Sequence, residues 1–163
     1  MSLARQDADD SLAGGRLAAP TFRLASGPDV PDLYDLLLTM HDEVGMATLA
    51  PLKVVQAIEN VLETGFCVVA EIDGEIVGSI GLDLREWWYS EDVFFGDRWV
   101  FVHPDYRKSS IAAGMLRKAI SFADKADIPL VVGVFSPKDV ERKNALFRRH
   151  FSPVGETFIR GLK

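Results

Sequence analysis

The stretch WVFVHPDYRKSSIAAGMLRKAISFADKA, from Trp99 to Ala126, constrains the fold of this chain more than any other. It reads as an apolar strand, a short polar turn and an amphipathic helix whose first turn carries Ser109 and Ser110. A helix that starts where a strand ends presents backbone N–H groups without intrahelical partners, together with the positive end of the helix dipole. That corner is an anion site, and phosphate is its usual guest. A further apolar strand, Leu130 to Phe135, follows Pro129. Strand, crossover helix and strand should form a right-handed parallel unit, with a ligand at the carboxyl ends of the two strands.

The rest of the chain sets antiparallel neighbours beside that unit. Thr21 to Ala25 is a short strand, Ser26-Gly27-Pro28-Asp29 a turn, and Pro31 suits the first turn of a helix running to about His41. Leu33, Leu36, Leu37 and Met40 form the apolar face of that helix. A second helix covers Leu52 to Glu63 and stops at Gly65. Two strands, Phe66 to Ile72 and Glu75 to Leu84, flank Asp73-Gly74, a strong hairpin signal. A polar and aromatic loop leads to a third strand, Val93 to Val102, with a kink expected at Gly96. Ser136-Pro137 should open a helix to about His150, and a last strand pair is expected within Val154 to Leu162. Residues 1–19 lack a period and read as a flexible leader, with one domain over 20–163.

Composition removes several classes of function. The net charge is −6, against the basic face that a nucleic-acid surface needs, and it suits a cationic partner better. No apolar run approaches the roughly 20 residues of a membrane helix, and MSLARQDADD has no apolar core of the secretory kind. Cys67 is the one cysteine and sits in an apolar run, so neither a disulfide framework nor a zinc cluster is expected. The expected setting is the cytoplasm. His41-Asp42-Glu43 are adjacent residues that do not share a helix face, which argues against a metal there.

At VHPDYRKSSIAAGML (Val102 to Leu116), EIDGEIVGSIGL (Glu71 to Leu82) and NALFRRHFSPVGETF (Asn144 to Phe158), the chain resembles the GNAT superfamily of acetyl-CoA-dependent N-acetyltransferases. The resemblance covers about Thr21 to Leu162. It implies an α+β fold with a mixed, mostly antiparallel sheet of six or seven strands and about four helices, splayed at a parallel pair near 99–102 and 130–134. It also implies acetyl-CoA as co-substrate, an amine acceptor, no metal and no membrane partner. The family's phosphate loop has Arg or Gln, two free positions, Gly, one free position, then Gly or Ala; here those positions are Arg107, Ser110 and Ala112.

By the same resemblance, the backbone from Arg107 through Lys108, Ser109, Ser110 and Ile111 to Ala112 would cradle a diphosphate, and Val100, Phe101 and Val102 would border the pantetheine arm. Asn144 would position that arm or the acceptor, and Phe147 stands where the family often has the tyrosine that protonates the leaving thiolate. Tyr106 is a candidate replacement acid, or a residue packed over the turn. Asp97 is the lead candidate for a base acting directly or through water. It shares a strand face with Trp99 and Phe101 if no bulge intervenes, and otherwise reads as a solvated edge acid. Ser110 and Phe147 also admit a second reading, an acyl-CoA-binding module of this fold with little or no turnover. Trp87-Trp88-Tyr89 either lines an acceptor pocket or covers a loop or a homodimer contact. Arg142, Lys143, Arg148 and Arg149 form a solvated basic face or meet the 3′-phosphate of CoA.

Overall fold

The computed structural model describes residues 18–107 and 109–161. Most of the leader, Lys108, Leu162 and Lys163 lie outside the described residues. In chain order the elements are β1 (Thr21–Leu24), α1 (Val30–Val44), α2 (Pro51–Thr64), β2 (Phe66–Ile72), β3 (Glu75–Glu86), β4 (Val93–Val102), α3 (Ile111–Ala126), β5 (Leu130–Val131) and α4 (Val140–Phe147). Spatial order in the sheet follows chain order, β1 to β5. Every pairing is antiparallel except that of β4 with β5, which is parallel.

The sheet is buried on both faces because β2 and β3 are almost continuously apolar. One face carries Phe66, Val68, Ile80, Leu82 and Phe95 against Ile111, Met115, Leu116 and Ala119 of α3. The other carries Cys67, Val69 and Trp99 against Leu33 and Leu37 of α1 and Ile58 and Val61 of α2. Gly114 and Gly81 each permit a close approach to an aromatic ring. A Cβ on Gly114 would lie 2.2 Å from the Phe22 ring, so glycine lets α3 settle onto β1. A Cβ on Gly81 would lie 2.3 Å from the Trp99 indole, whose Nε1 donates to the Ser79 hydroxyl at 2.7 Å.

Several expectations need correction. Among the described residues the sheet has five strands rather than six or seven, and residues 151–161 form no strand. Val154 and Phe158 are 94% and 85% exposed there. The exposed edge of β5 is too short to template a long pair, and Pro153, Gly155 and Gly161 interrupt the segment. β5 itself pairs only at Leu130 and Val131, opposite Phe95 and Gly96, instead of running to Phe135. Pro137 does not open α4, which begins at Val140 after Asp139. Ser136 instead accepts from the backbone N–H of Lys138 at 3.3 Å.

The irregularity in β4 falls at Arg98 rather than Gly96. Gly81 pairs with Trp99 and Leu82 with Asp97, so Arg98 is an extra residue on β4. The bulge shifts the alternation by one place. Trp99 and Phe101 therefore face α1 and α2, while Asp97 falls in register with Leu82 on the opposite side. The shared face expected for Asp97, Trp99 and Phe101 does not form, because the condition attached to it fails.

Candidate active site

The bulge is held by a network of charge-assisted hydrogen bonds. Asp83 is an acid inside the buried run of β3, only 2% exposed. Its Oδ1 accepts from Arg85 Nε at 2.7 Å and its Oδ2 from Arg98 Nε at 2.5 Å. Arg85 Nη2 donates to the Asp97 carbonyl at 2.9 Å, so the carbonyl displaced by the bulge has a partner. No buried side-chain polar atom among the described residues lacks one.

Beyond the bulge, β4 and the segment after β5 part. Asp97 stands at the fork, and its Oδ1 accepts from the backbone N–H of Gly133 at 3.0 Å. Burial pushes its carboxyl up to about 6, opposed by the Gly133 hydrogen bond and the Arg85 charge. A cleft of about 560 Å³ opens from that point. Asp97 to Val102 of β4, the turn into α3, Gly133 to Ser136 and one side of α4 line it, and Met40, Glu43 and Val44 of α1 close its edge.

The start of α3 forms one end of this cleft. Its first described intrahelical bond runs from the Gly114 N–H to the Ser110 carbonyl at 2.9 Å. Among the described residues, the N–H groups of Ser110 and Ala113 meet no carbonyl. Ser109 Oγ donates to the Tyr106 carbonyl at 2.7 Å and accepts from the Ile111 N–H at 3.3 Å, which shapes the turn. The first turn of α3 carries no acid, so nothing there opposes the helix dipole's attraction for an anion.

Positive side chains converge on the same end. Arg107 donates Nε to the Val102 carbonyl at 3.0 Å, lies 5.2 Å over the Phe101 ring, and pairs through Nη2 with Glu43 at 2.8 Å. Lys138 Nζ is 3.8 Å from the same Glu43 oxygen. Lys143 Nζ donates to Ser136 Oγ and to the Lys138 carbonyl, both at 2.8 Å. Burial, foremost, lowers the proton affinity of Lys143; Arg107 and Lys138 also lower it, while Glu43 and Asp139 raise it.

Of the residues expected at a site, Asp97, Val100, Phe101, Val102, Arg107, Ser109, Ser110, Ala112 and Phe147 line this cleft. Ile111 sits just behind it, its side chain 2% exposed in the core. Tyr106 and Asn144 do not line it: Tyr106 packs against the α3-side core beside His103, and the Asn144 carbonyl accepts from the Arg148 N–H. Lys108 lies outside the described residues. Arg142, Lys143 and Arg149 reach the cleft, whereas Trp87, Trp88 and Tyr89 do not. Among the described residues no group of three His, Cys, Asp or Glu could hold a metal ion, and no helix is long and apolar enough to cross a membrane.

Glu43 and Gly133 were not singled out from the sequence as cleft residues. A glycine inside the apolar run VVGVF is a signal of close backbone approach and could have marked the fork. Glu43 is placed by tertiary packing of α1, and no local pattern announces it.

A split mixed sheet whose gap ends near a helix N-terminus and several basic side chains has the shape and charge to suit an elongated ligand with an anionic tail. A family model described as acetyltransferase (GNAT) domain matches residues 63–150. That span is more than half of the chain, and the chain belongs to the GNAT acetyltransferase family. Solved structures of the same fold include a ribosomal-protein-alanine N-acetyltransferase from Brucella melitensis, at 16% identity and TM-score 0.69, covering 88% of this chain and 100% of the other. A predicted acetyltransferase from Clostridium acetobutylicum, solved with acetyl-CoA, aligns at 16% identity and TM-score 0.70 over 88% and 97% of the two chains. An aminoglycoside 6′-N-acetyltransferase from Acinetobacter haemolyticus aligns at 15% identity and TM-score 0.65 over 88% and 98%. At these identities the likeness shows the fold. No curated protein matches the chain in sequence.

Proposed function

We propose that this acetyltransferase moves an acetyl group from acetyl-CoA to an amine by direct attack. The observation that carries the proposal is the cleft between β4 and the segment after β5, which ends on the α3 N-terminus and the cations Arg107 and Lys143, with Lys138 beside Glu43. The residues present fit acetyl-CoA: an apolar strand edge for the pantetheine arm and backbone N–H groups with basic side chains for phosphate. A relative of the same fold was solved with acetyl-CoA.

In this reading acetyl-CoA supplies an acyl group already activated as a thioester. The backbone from Arg107 to Ala112 holds the diphosphate, and Arg142 and Arg149 are placed for a further phosphate. The free edge of β4 at Val100 to Val102 borders the arm. The Val102 carbonyl already accepts from Arg107, which leaves the remaining edge groups to pair with the arm's amides. Asp97 takes the proton from the amine, directly or through one water, as the amine nitrogen bonds to the carbonyl carbon and the carbon–sulfur bond breaks. Tyr106 and Asn144 lie off the cleft and Phe147 has no proton to donate, so the sulfur leaves as thiolate. A thiol pKa of about 8.5 makes that departure feasible near neutral pH.

The acceptor in this proposal is a cationic amine, drawn by an acidic chain. The setting is cytoplasmic, and a homodimer would use the exposed Trp88 and Tyr89 at the β3–β4 hairpin. Calorimetric titration with acetyl-CoA tests the core of it. Saturable binding, followed by thiol release on adding amines, is the expected result; no saturable binding at millimolar ligand would end it.

A further inference from the structure

Among the described residues, Glu43 is the cleft-lining acid that makes ion pairs with the cations: Asp97 stands at the fork and bonds to Gly133, Asp139 acts on Lys143 without an ion pair, and Glu43 closes the edge. Its side chain is 10% exposed, and a single oxygen, Oε2, reaches both Arg107 at 2.8 Å and Lys138 at 3.8 Å. Arg107 is already oriented without it, by the Val102 carbonyl and the Phe101 ring. Glu43 therefore does not place Arg107; it occupies the outward end of a guanidinium that β4 has placed. Lys143 lies within the same electrostatic neighbourhood, since Glu43 and Arg107 both act on it. Arg107, Lys138 and Lys143 outnumber the two carboxylates beside them, Glu43 and Asp139, and leave a net positive charge for an anionic ligand.

We propose that Glu43 is an internal counter-anion that a diphosphate-bearing donor must displace from Arg107 and Lys138, so that it sets the affinity of the donor site. This rests on the acetyl-CoA reading above. An intramolecular partner that occupies a ligand's contacts reduces the fraction of molecules ready to bind, and apparent affinity falls by that fraction. Charge-assisted contacts to carboxylate and to phosphate draw on the same donors, so the two anions exclude each other. The displaced carboxylate remains on the last turn of α1 beside Met40 and Val44, at the edge of the cleft, where it is free to meet a cationic amine.

The test is calorimetric titration of CoA into the wild-type chain, Glu43→Gln and Glu43→Met. Both variants remove the charge and nearly keep the side-chain volume, and their thermal melting is compared with wild type. The expected result is CoA binding about three- to tenfold tighter in both variants. The gain should shrink in about 0.5 M sodium chloride, where the Debye length is only a few ångströms. A residue that merely supported the fold would weaken binding or leave it unchanged, and would show no such salt dependence. Equal or weaker binding in variants that melt like wild type overturns the proposal and leaves the acetyl-CoA reading standing. Absence of CoA binding in all three proteins overturns both.

Discussion

The Asp97 carboxylate accepts a 3.0 Å hydrogen bond from the backbone N–H of Gly133, across the fork where β4 and β5 separate. One side chain thus takes the place of the next rung of the parallel ladder, which ends at Gly96 and Val131. Burial raises its proton affinity, so that its pKa is about 6 instead of the ordinary 3.8. At neutral pH such a group is still ionised, yet it is a stronger base than a solvated carboxylate.

Asp97→Asn should therefore lose about 100-fold or more in turnover while CoA affinity changes little. In the wild type, kcat/KM should fall as pH drops below about 6, as Asp97 takes up its proton. That acidic limb should vanish in the variant. Steady-state rates of thiol release across pH, with one amine acceptor throughout, check both points.

The same shift bears on stability with the opposite sense to an ordinary paired acid. The folded state binds the Asp97 proton more tightly than the unfolded chain does, because its carboxyl is at about 6 against 3.8. Its contribution is fully present below the lower value and is lost as pH rises to the higher one. Asp97→Asn should melt like the wild type near pH 4 and at higher temperature near pH 7.5, by a few degrees, in keeping with an active-site group held at a stability cost. Melting temperatures of the two proteins at both pH values are the measurement.

What was legible in the sequence was what local chemistry dictates. The Asp73-Gly74 turn formed its hairpin, Pro31 lies in the first turn of α1, and the apolar faces of α1 and α3 point to the core. The strand-to-helix corner stands where Ser109 and Ser110 put it, between β4 and α3. The bulge was not legible, because Arg98 differs from a normal strand residue only through Asp83 and Arg85, which lie on another strand. One inserted residue then decided which way Asp97 faces. The end of the sheet was misread for a similar reason. Val154, Phe158 and Ile159 within Val154 to Leu162 make a strand possible, but strand formation needs a partner edge, and β5 offers two residues.

Ser110 is exposed at the mouth of α3, and its N–H faces no carbonyl among the described residues. Ser110→Tyr should fill the anion corner without touching the core. CoA binding should be lost, a drop of at least about 100-fold, while circular dichroism and melting stay close to wild type. Retained binding in a folded variant would mean that the corner is not the diphosphate site.

Asp29 gives the complementary case to Asp97. It is 8% exposed and receives Arg23 through both oxygens, at 2.8 and 2.9 Å, and the Ser26 N–H at 2.8 Å. The Arg23 guanidinium, foremost, holds its carboxyl at about 2, below the ordinary 3.8. This contribution is present above the ordinary value and is lost as pH falls from there towards 2. Asp29→Asn should cost roughly 1–2 kcal/mol at neutral pH, discounted because Arg23 is half exposed. The difference from wild type should narrow below about pH 3 in acid-dependent urea titrations, which then report the loss of this pair.

Asp83 does not itself line the cleft, yet it binds both arginines that define the bulge. Arg85 in turn caps the Asp97 carbonyl, so the direction of the proposed base depends on a carboxylate one strand away. Asp83→Asn keeps the size of the side chain but removes the charge that orients two guanidinium groups, both of which can turn to water because they are partly exposed. The fold should survive, with Trp99 still seated on Gly81 and bonded to Ser79. The base should be less well aimed, so kcat should drop about tenfold with little change in CoA affinity, since a displacement near one ångström is enough for such a loss. The acidic limb near pH 6 should also shift, because the charges around Asp97 include both Arg85 and Asp83. A variant that lost stability alone would show neither the unequal effect on kcat and binding nor the altered pH profile, and paired kinetic and titration measurements on Asp83→Asn separate the two.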